Sequence, residues 1–233
     1  MNGHLYLIPT PLGDYPPQQV LTPSVLELLP RIELFFVEEL RTARRFLSAA
    51  GLKGHVEGLE LHELNEHTTP EEISSLSQLM VGREAALVSE AGLPAVADPG
   101  AQLVALAHEK GVEVVPEVGP SSLMMALMAS GMNGQHFAFE GYLSVKPEAR
   151  RARIAELERR SQREHQSQII IETPYRNDAL LSDLLATCHP ATRICIASDI
   201  TLPTQFIKTL SVERWRRAVP VIGKRPCVFV IQG

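Results

Sequence analysis

Residues 85–122 read AALVSEAGLPAVADPGAQLVALAHEKGVEVVPEVGPSS, and their pattern decides the fold. Ala85–Val88 is a short apolar run typical of a buried strand, and Asp98-Pro99 supplies a helix N-cap with proline at the first helical position. Apolar residues then recur at helical spacing until Gly111, and Val112–Val115 reads as a second buried strand. This order predicts two parallel strands joined by a right-handed crossover.

Two loops of small residues follow these strands. The first contains Ala91-Gly92-Leu93, and the second is Gly119-Pro120-Ser121-Ser122, which opens another helix. In an open α/β sheet, ligands bind outside the carboxyl ends of the strands. Because glycine and proline mark turns generally, neither loop alone indicates a site, but the two together predict one.

The same alternation of strands and helices extends over the whole chain and predicts an α/β protein with mainly parallel sheets. Residues 131–135 are the predicted boundary between an N-terminal α/β domain, 1–131, and a C-terminal α/β domain, 136–233. Residues 55–67 are polar and are predicted to be irregular. The remaining predicted strands span residues 4–8, 33–37, 136–140, 168–171, 193–197, 205–208 and 226–231.

Composition restricts the function. The chain has 233 residues, 45% of them apolar and 21% charged, with a net charge of −5. This charge argues against a surface that binds nucleic acid all over, although a local basic face is compatible with it. No apolar run reaches the ~18 residues of a membrane span, and the N-terminus lacks a signal-peptide charge pattern. Three cysteines without CxxC spacing indicate reduced thiols in a cytoplasmic protein.

Several common site motifs are absent from the sequence. There is no GxxxxGK[ST], GxGxxG or GxSxG, which removes the usual signals for nucleoside triphosphate, dinucleotide and hydrolase chemistry. His62 and His67 lie five residues apart, whereas the zincin motif needs a spacing of four. On a helix this spacing turns the second ring ~140° away from the first. We therefore expect a polar loop there and no metal site.

Seven short motifs, in chain order, resemble those of the tetrapyrrole methylase superfamily of S-adenosylmethionine-dependent methyltransferases. Within it they are most similar to the branch that methylates a ribose 2′-hydroxyl in small-subunit ribosomal RNA. The resemblance implies two α/β domains with a cofactor cleft between them, a homodimer, and a substrate that is ribosomal RNA or the small ribosomal subunit. The motifs are Leu5–Gly13, Glu38–Arg44, Leu87–Pro94, Asp98–Gly100, Gly119–Ser121, Phe139–Leu143 and Glu172–Arg176.

S-adenosylmethionine is the cofactor that this resemblance implies. Holding it requires close backbone approach, which glycine and alanine permit. The predicted binding residues of the first half are Leu12, Ala91, Gly92, Leu93, Val96, Ser121 and Ser122. The resemblance further implies that the second half contributes Glu172, through its backbone, together with Ile200 and Pro226.

Glu38 and Glu39 stand at the end of a predicted strand, beside Arg41. Methyl transfer to a hydroxyl benefits from a general base, so we hypothesise that these three residues face the acceptor as catalytic groups. The alternative is that the glutamates only enrich a helix N-terminus in acids and form a surface ion pair. Both interpretations are compatible with the sequence.

The predicted helix 147–164 also has two interpretations. Its arginines could grip RNA phosphates, or they could form a solvated face balanced by glutamates. The arginines are Arg150, Arg151, Arg153, Arg159, Arg160 and Arg163.

Two other functions stay open at the sequence level. The acidic net charge favours a methylase of a tetrapyrrole or another small molecule. The branch usually has Asp at the position of Glu90 and Thr at that of Leu93, and these departures fit a homologue that binds S-adenosylmethionine without catalysis.

Overall fold

A computed structural model describes residues 3–233, and the chain divides between Ser121 and Ser122 into two compact units. The boundary predicted at 131–135 lies one helix further along. The helix in question, α5 (Ser122–Ser130), groups with the second unit because it packs against strands of the second sheet. Its buried side chains include Leu123 and Leu127.

The first unit contains a five-stranded parallel sheet with strand order β3-β2-β4-β1-β5. Buried apolar clusters cover it on both faces, and all its strands end at one edge, where their loops gather. Its strands are β1 (His4–Ile8), β2 (Leu34–Val37), β3 (Glu60–Glu63), β4 (Glu84–Val88) and β5 (Glu113–Pro116). Its helices are α1 (Pro23–Leu28), α2 (Leu40–Leu47), α3 (Pro70–Leu79) and α4 (Ala101–Glu109).

Local signals account for much of this unit, with three corrections. The polar segment 55–67 contains strand β3, which pairs with β2 at the sheet edge, where half-exposed polar side chains are tolerated. Strand β5 is also an edge strand, so its valines are only half-buried. Helix α4 begins at Ala101 after Gly100, whose φ is 122°, and Asp98 does not cap it.

The second unit contains a five-stranded sheet with strand order β6-β7-β10-β8-β9. Only the β6–β7 pair is parallel, whereas the other three pairs are antiparallel, so the prediction of mainly parallel sheets is wrong for this unit. The strands are β6 (Phe137–Tyr142), β7 (Ser167–Ile171), β8 (Arg193–Ser198), β9 (Phe206–Ser211) and β10 (Cys227–Gln232). The reason is that β8 returns directly to β9 without a crossover helix, while β10 inserts between β7 and β8.

Three further helices complete this unit: α6 (Pro147–Glu164), α7 (Asn177–Thr187) and α8 (Val212–Arg217). Trp215 is buried among them and donates its indole N–H to the Ile194 carbonyl oxygen at 2.9 Å. All three cysteines are free and buried. Within residues 3–233, no helix is both long and apolar enough to cross a membrane.

Candidate active site

The loops that leave the carboxyl edge of the first sheet are packed against each other. Thr10 and Gly92 exchange two backbone hydrogen bonds, of 2.9 and 3.2 Å, which join the loop after β1 to the loop after β4. A Cβ on Gly92 would lie 3.2 Å from the Leu12 side chain, and one on Gly119 would lie 2.2 Å from Cβ of Pro9. Glycine is therefore required at position 119 by close approach of the chain.

The loop between β4 and α4 has an unusual backbone. Ala95 and Ala97 have φ values of 62° and 60°, in the left-handed region that few non-glycine residues adopt. Such conformations store strain and cluster at functional sites. Leu93 is half-buried in this loop, whereas Ala91 and Val96 are exposed. This is the segment that sequence reasoning assigned to the cofactor.

The three cofactor residues predicted from the second half lie together at one edge of the second sheet. Glu172 follows β7, Ile200 follows β8, and Pro226 precedes β10, which runs antiparallel between those two strands. Ile200 is buried, between Asp199 and Thr201 with φ values of 51° and 76°. Burial leaves its backbone, rather than its side chain, available to a ligand.

The Glu172 side chain is also buried, and its Oε1 accepts hydrogen bonds from the Thr173 amide at 2.6 Å and from Arg176 Nε at 3.0 Å. This is compatible with a contribution through the Glu172 backbone. Ser121 and Ser122 are half-buried and follow directly after Gly119-Pro120.

Glu39 is a helix cap. Its Oε1 accepts a hydrogen bond from the Arg41 amide at 2.9 Å, and its Oε2 accepts one from the Thr42 amide at 2.7 Å. These two bonds hold the pKa of Glu39 below its ordinary value. The helix-terminus interpretation therefore explains Glu39. The Arg41 side chain is exposed on the first turn of α2.

Glu38 has a different environment from its neighbour. It is half-buried, and burial raises its pKa, with the negative charges of Glu90 and Glu66 adding to the effect and a hydrogen bond from the Glu90 amide opposing it. Its Oε2 is buried and has no hydrogen-bond partner among residues 3–233. Such a carboxylate has an acceptor position free for a ligand hydroxyl.

Asp98 is the residue that sequence reasoning missed. Burial raises its pKa to about 7, the charges of Glu38 and Glu90 raise it further, and a hydrogen bond with Ser89 opposes the shift. Its Oδ2 is buried and lacks a partner within the described part of the chain. Asp-Pro reads as a helix start, which concealed this role. Gly100, two residues on, was the available signal, since glycine is a poor residue for a first helical turn.

A pocket of about 410 Å³ lies at this edge, between the loops after β1, β2 and β4 and helix α2. This volume is in the range of small-molecule sites. Glu38, Glu39 and Glu90 line it together with the hydroxyl residues Thr10, Thr42 and Ser89. The predicted cofactor residues of the first half are not among its lining residues, so the structure separates the acidic pocket from the glycine loop beside it.

Known proteins resemble this chain along most of its length, although no family model matches it. The ribosomal RNA small subunit methyltransferase I of Xylella fastidiosa is 36% identical over 196 residues, which cover 84% of this chain and 67% of that protein. The protein of the same name from Escherichia coli O157:H7 is 32% identical over 235 residues, 100% of this chain and 78% of that protein. The chain belongs to the ribosomal RNA small subunit methyltransferase I family.

Solved structures agree with this family assignment at the level of the fold. The methyltransferase CobJ superposes with a TM-score of 0.63 at 20% identity, covering 99% of this chain and 94% of that chain. Uroporphyrin-III C-methyltransferase from Thermus thermophilus gives a TM-score of 0.54 at 19% identity, with coverage of 99% and 94%. The predicted superfamily is confirmed, and this member of the methyltransferase I family is a methyltransferase with the tetrapyrrole methylase fold.

In this methyltransferase I family member, the arginines of α6 mostly hold the second unit together. Arg150 is buried and contacts Asp183 of α7, its Nε lying 2.7 Å from Oδ2. Arg153 and Arg160 both pair with Glu140 of β6, whose side chain is buried. These guanidinium groups serve internal ion pairs, so any contact of α6 with phosphate falls to its exposed arginines, such as Arg159.

Proposed function

We propose that this protein transfers the methyl group of S-adenosylmethionine to a ribose 2′-hydroxyl of small-subunit ribosomal RNA. The relatives of known name support the RNA substrate. The observation that carries the chemistry is Glu38. Its buried, unpartnered carboxylate oxygen belongs to a residue that lines a pocket at the carboxyl edge of a parallel sheet.

The described residues fit the cofactor in the first unit. Gly92 has φ 86° and is fixed by its two bonds to Thr10, so the backbone beside Ala91 approaches a ligand without an intervening side chain. The residues that would hold the cofactor are Leu12, Ala91, Gly92, Leu93, Val96, Ser121 and Ser122, with Glu172, Ile200 and Pro226 contributing from the second unit. When bound, S-adenosylmethionine supplies a methyl group on positively charged sulfur.

Glu38 is the proposed general base. Its raised pKa keeps it a stronger proton acceptor than an exposed glutamate, and its Oε2 has no competing donor in the described chain. General bases of this kind contribute about 10²–10⁴-fold to rate. We assign Glu39 to positioning, because its two oxygens fix the first turn of α2 and hence the wall of the pocket.

The charge pattern around the pocket favours a nucleotide over a tetrapyrrole. Tetrapyrrole precursors carry many carboxylates, and these would be repelled by Glu38, Glu39 and Glu90. A ribose is neutral, and its phosphates can stay outside. Helix α2 presents exposed Arg41 and Arg45 next to the pocket, where they can meet those phosphates.

A methyl-label transfer assay tests the proposed function. Small ribosomal subunits from a strain lacking this protein are incubated with the purified protein and labelled S-adenosylmethionine, and the label is mapped by nuclease digestion. We expect label in one alkali-resistant dinucleotide, since 2′-O-methylation blocks cleavage there. Subunits from the parent strain, already modified, are the matched control and should take up little label.

Calorimetry with S-adenosylmethionine separates the remaining possibilities. Binding without methylation of any RNA would indicate a non-catalytic homologue, and the absence of binding would contradict the proposal entirely. We also expect a cytoplasmic homodimer, and light scattering on the purified protein tests its assembly.

A further inference from the structure

Two buried carboxylate oxygens at the first-unit edge share one feature. Glu38 Oε2 and Asp98 Oδ2 both lack a hydrogen-bond partner among residues 3–233. Their other contacts converge on two consecutive residues: Glu38 accepts the amide proton of Glu90, and Asp98 contacts the hydroxyl of Ser89. The two carboxylates, which come from different loops, are therefore neighbours at the end of β4.

The hydrogen-bond directions around Ser89 bear on the protonation of this pair. Ser89 has one hydroxyl proton, and its Oγ lies 3.2 Å from the Gly92 carbonyl oxygen, to which it donates. An ionised Asp98 can only accept, and it would have to compete with Gly92 for that proton. A protonated Asp98 can instead donate, so Ser89 then serves both neighbours.

The other charges that act on the pair are also negative. Glu90 acts on both carboxylates, and Glu66 acts on Glu38. From helix α2, the Thr42 hydroxyl donates to Glu90, while Arg45 points to Asp14 at a distance of 3.9 Å. Two anions placed together in partly buried surroundings are not both stable, and sharing one proton relieves their repulsion. The pKa of about 7 for Asp98 agrees with this geometry.

We propose that Glu38 and Asp98 form a pair that holds one proton between them at neutral pH, and that this pair accepts the proton of the acceptor hydroxyl during methyl transfer. The second part rests on the proposed function. In the transfer, the hydroxyl O–H and the methyl C–S bonds break and a C–O bond forms. The proton passes to the ionised carboxylate of the pair, and the sulfur keeps the electron pair of the C–S bond as a neutral thioether.

Infrared titration tests the shared proton without any substrate. The wild-type protein should show the carbonyl band of a protonated carboxyl that persists at pH 6 and disappears through about pH 7. Asp98→Asn should lack this band, and Glu38→Gln should lose the ionisation near neutrality. Glu57→Gln, at an exposed position without a shifted pKa, is the matched control and should leave the band unchanged.

The pH dependence of single-turnover methyl transfer tests the catalytic role. The wild-type rate should rise through about pH 7 and then level off. Asp98→Asn should move this rise down by at least one pH unit, and should slow transfer about tenfold at pH 8, while S-adenosylmethionine affinity changes less than threefold. Asp98→Ser, which also removes the charge but differs in shape, should reproduce the shift.

The possible failures are distinguishable. A wild-type protein without a protonated carboxyl at pH 6 would overturn the pair, whatever the enzyme methylates. An intact band with an unchanged rate profile in Asp98→Asn would overturn its catalytic part. If the band titrates as expected but no RNA is methylated, the proposed function and the catalytic part fail, and the shared proton stands.

Discussion

Glu38 and Glu39 are adjacent in sequence, yet the pKa of the first is raised and that of the second is lowered. The cause is geometric. Glu39 turns into the start of α2, where two backbone amides meet its carboxylate, whereas Glu38 is held half-buried among other acids. One of these glutamates is therefore suited to stability and the other to proton transfer.

Glu39→Ala should lower the free energy of unfolding by about 0.5–2 kcal/mol, the usual effect of losing a helix N-cap. Urea denaturation followed by circular dichroism measures this change. Glu39→Asp, which keeps a capping carboxylate, should restore most of the loss. An unchanged unfolding midpoint in Glu39→Ala would show that the cap is dispensable.

Glu38→Gln should reduce methyl transfer about 10²–10⁴-fold, because the amide cannot accept a proton. The single-turnover rate at saturating cofactor measures this, and the unfolding midpoint should not fall, since a neutral side chain removes charge repulsion. Full activity of Glu38→Gln would eliminate the residue as the base.

At the scale of elements, helix α6 is attached to α7 through a buried acid. Asp183 accepts from Arg150 Nε at 2.7 Å and from Arg151 Nε at 2.5 Å, and these guanidinium groups keep its pKa below the ordinary value despite burial. Asp183 and Arg150 are both almost completely buried. An arginine-rich sequence can thus serve the packing of two helices.

Asp183→Asn should cost about 3–5 kcal/mol of stability, since it leaves the buried Arg150 without a counter-ion. Thermal unfolding measures this loss. Arg159→Ser, at an exposed position on the same helix, is the matched control: it should leave stability nearly unchanged and weaken only salt-sensitive RNA binding. Equal stability losses in the two variants would contradict this division of roles.

On the scale of the whole molecule, titrating groups work in two directions. Asp98 binds protons more tightly in the folded chain, so its contribution to stability is present at low pH and is lost as pH rises from about 4 to about 7. The pKa of His4 is raised by its hydrogen bond to Glu84, and this contribution is also lost as pH rises. Glu39 and Asp183 have lowered pKa values, so their contributions are lost as pH falls below their ordinary values.

These opposing effects predict a melting temperature that is highest on the acidic side of neutrality and decreases between pH 5 and pH 7. Asp98→Asn should flatten the decrease and raise the melting temperature at pH 7, since the variant no longer ionises at a buried position. Scanning calorimetry across this pH range measures both effects. A wild-type melting temperature that climbs steadily from pH 5 to pH 8 is the contrary result.

Local sequence signals predicted many elements well. Helix α6 has the predicted bounds, Pro147–Glu164, and the capping box at Thr69 and Glu72 starts α3 as expected. Strand pairing was less accessible, because it depends on contacts between residues distant in sequence. Nothing local in residues 227–232 indicates insertion between β7 and β8.

The candidate site shows the same limit. Its location at the carboxyl edge followed from strand order and small-residue loops, and the residue types of Glu38 and Glu39 suggested acid–base chemistry. Their division into base and cap required coordinates, since it depends on which carboxylate meets the amides of α2. Asp98 was read as a cap, because its contacts with Ser89 and the charges of Glu38 and Glu90 are non-local.

The central place of β10 has a consequence for biosynthesis. The ribosome makes β6–β9 before Cys227–Gln232 exists, so until then β7 and β8 each present an open hydrogen-bonding edge to their surroundings. Such edges invite pairing with other nascent chains. The second unit can close its sheet only once this final strand has been synthesised, and during that interval the growing polypeptide depends on chaperones or on rapid translation to avoid aggregation.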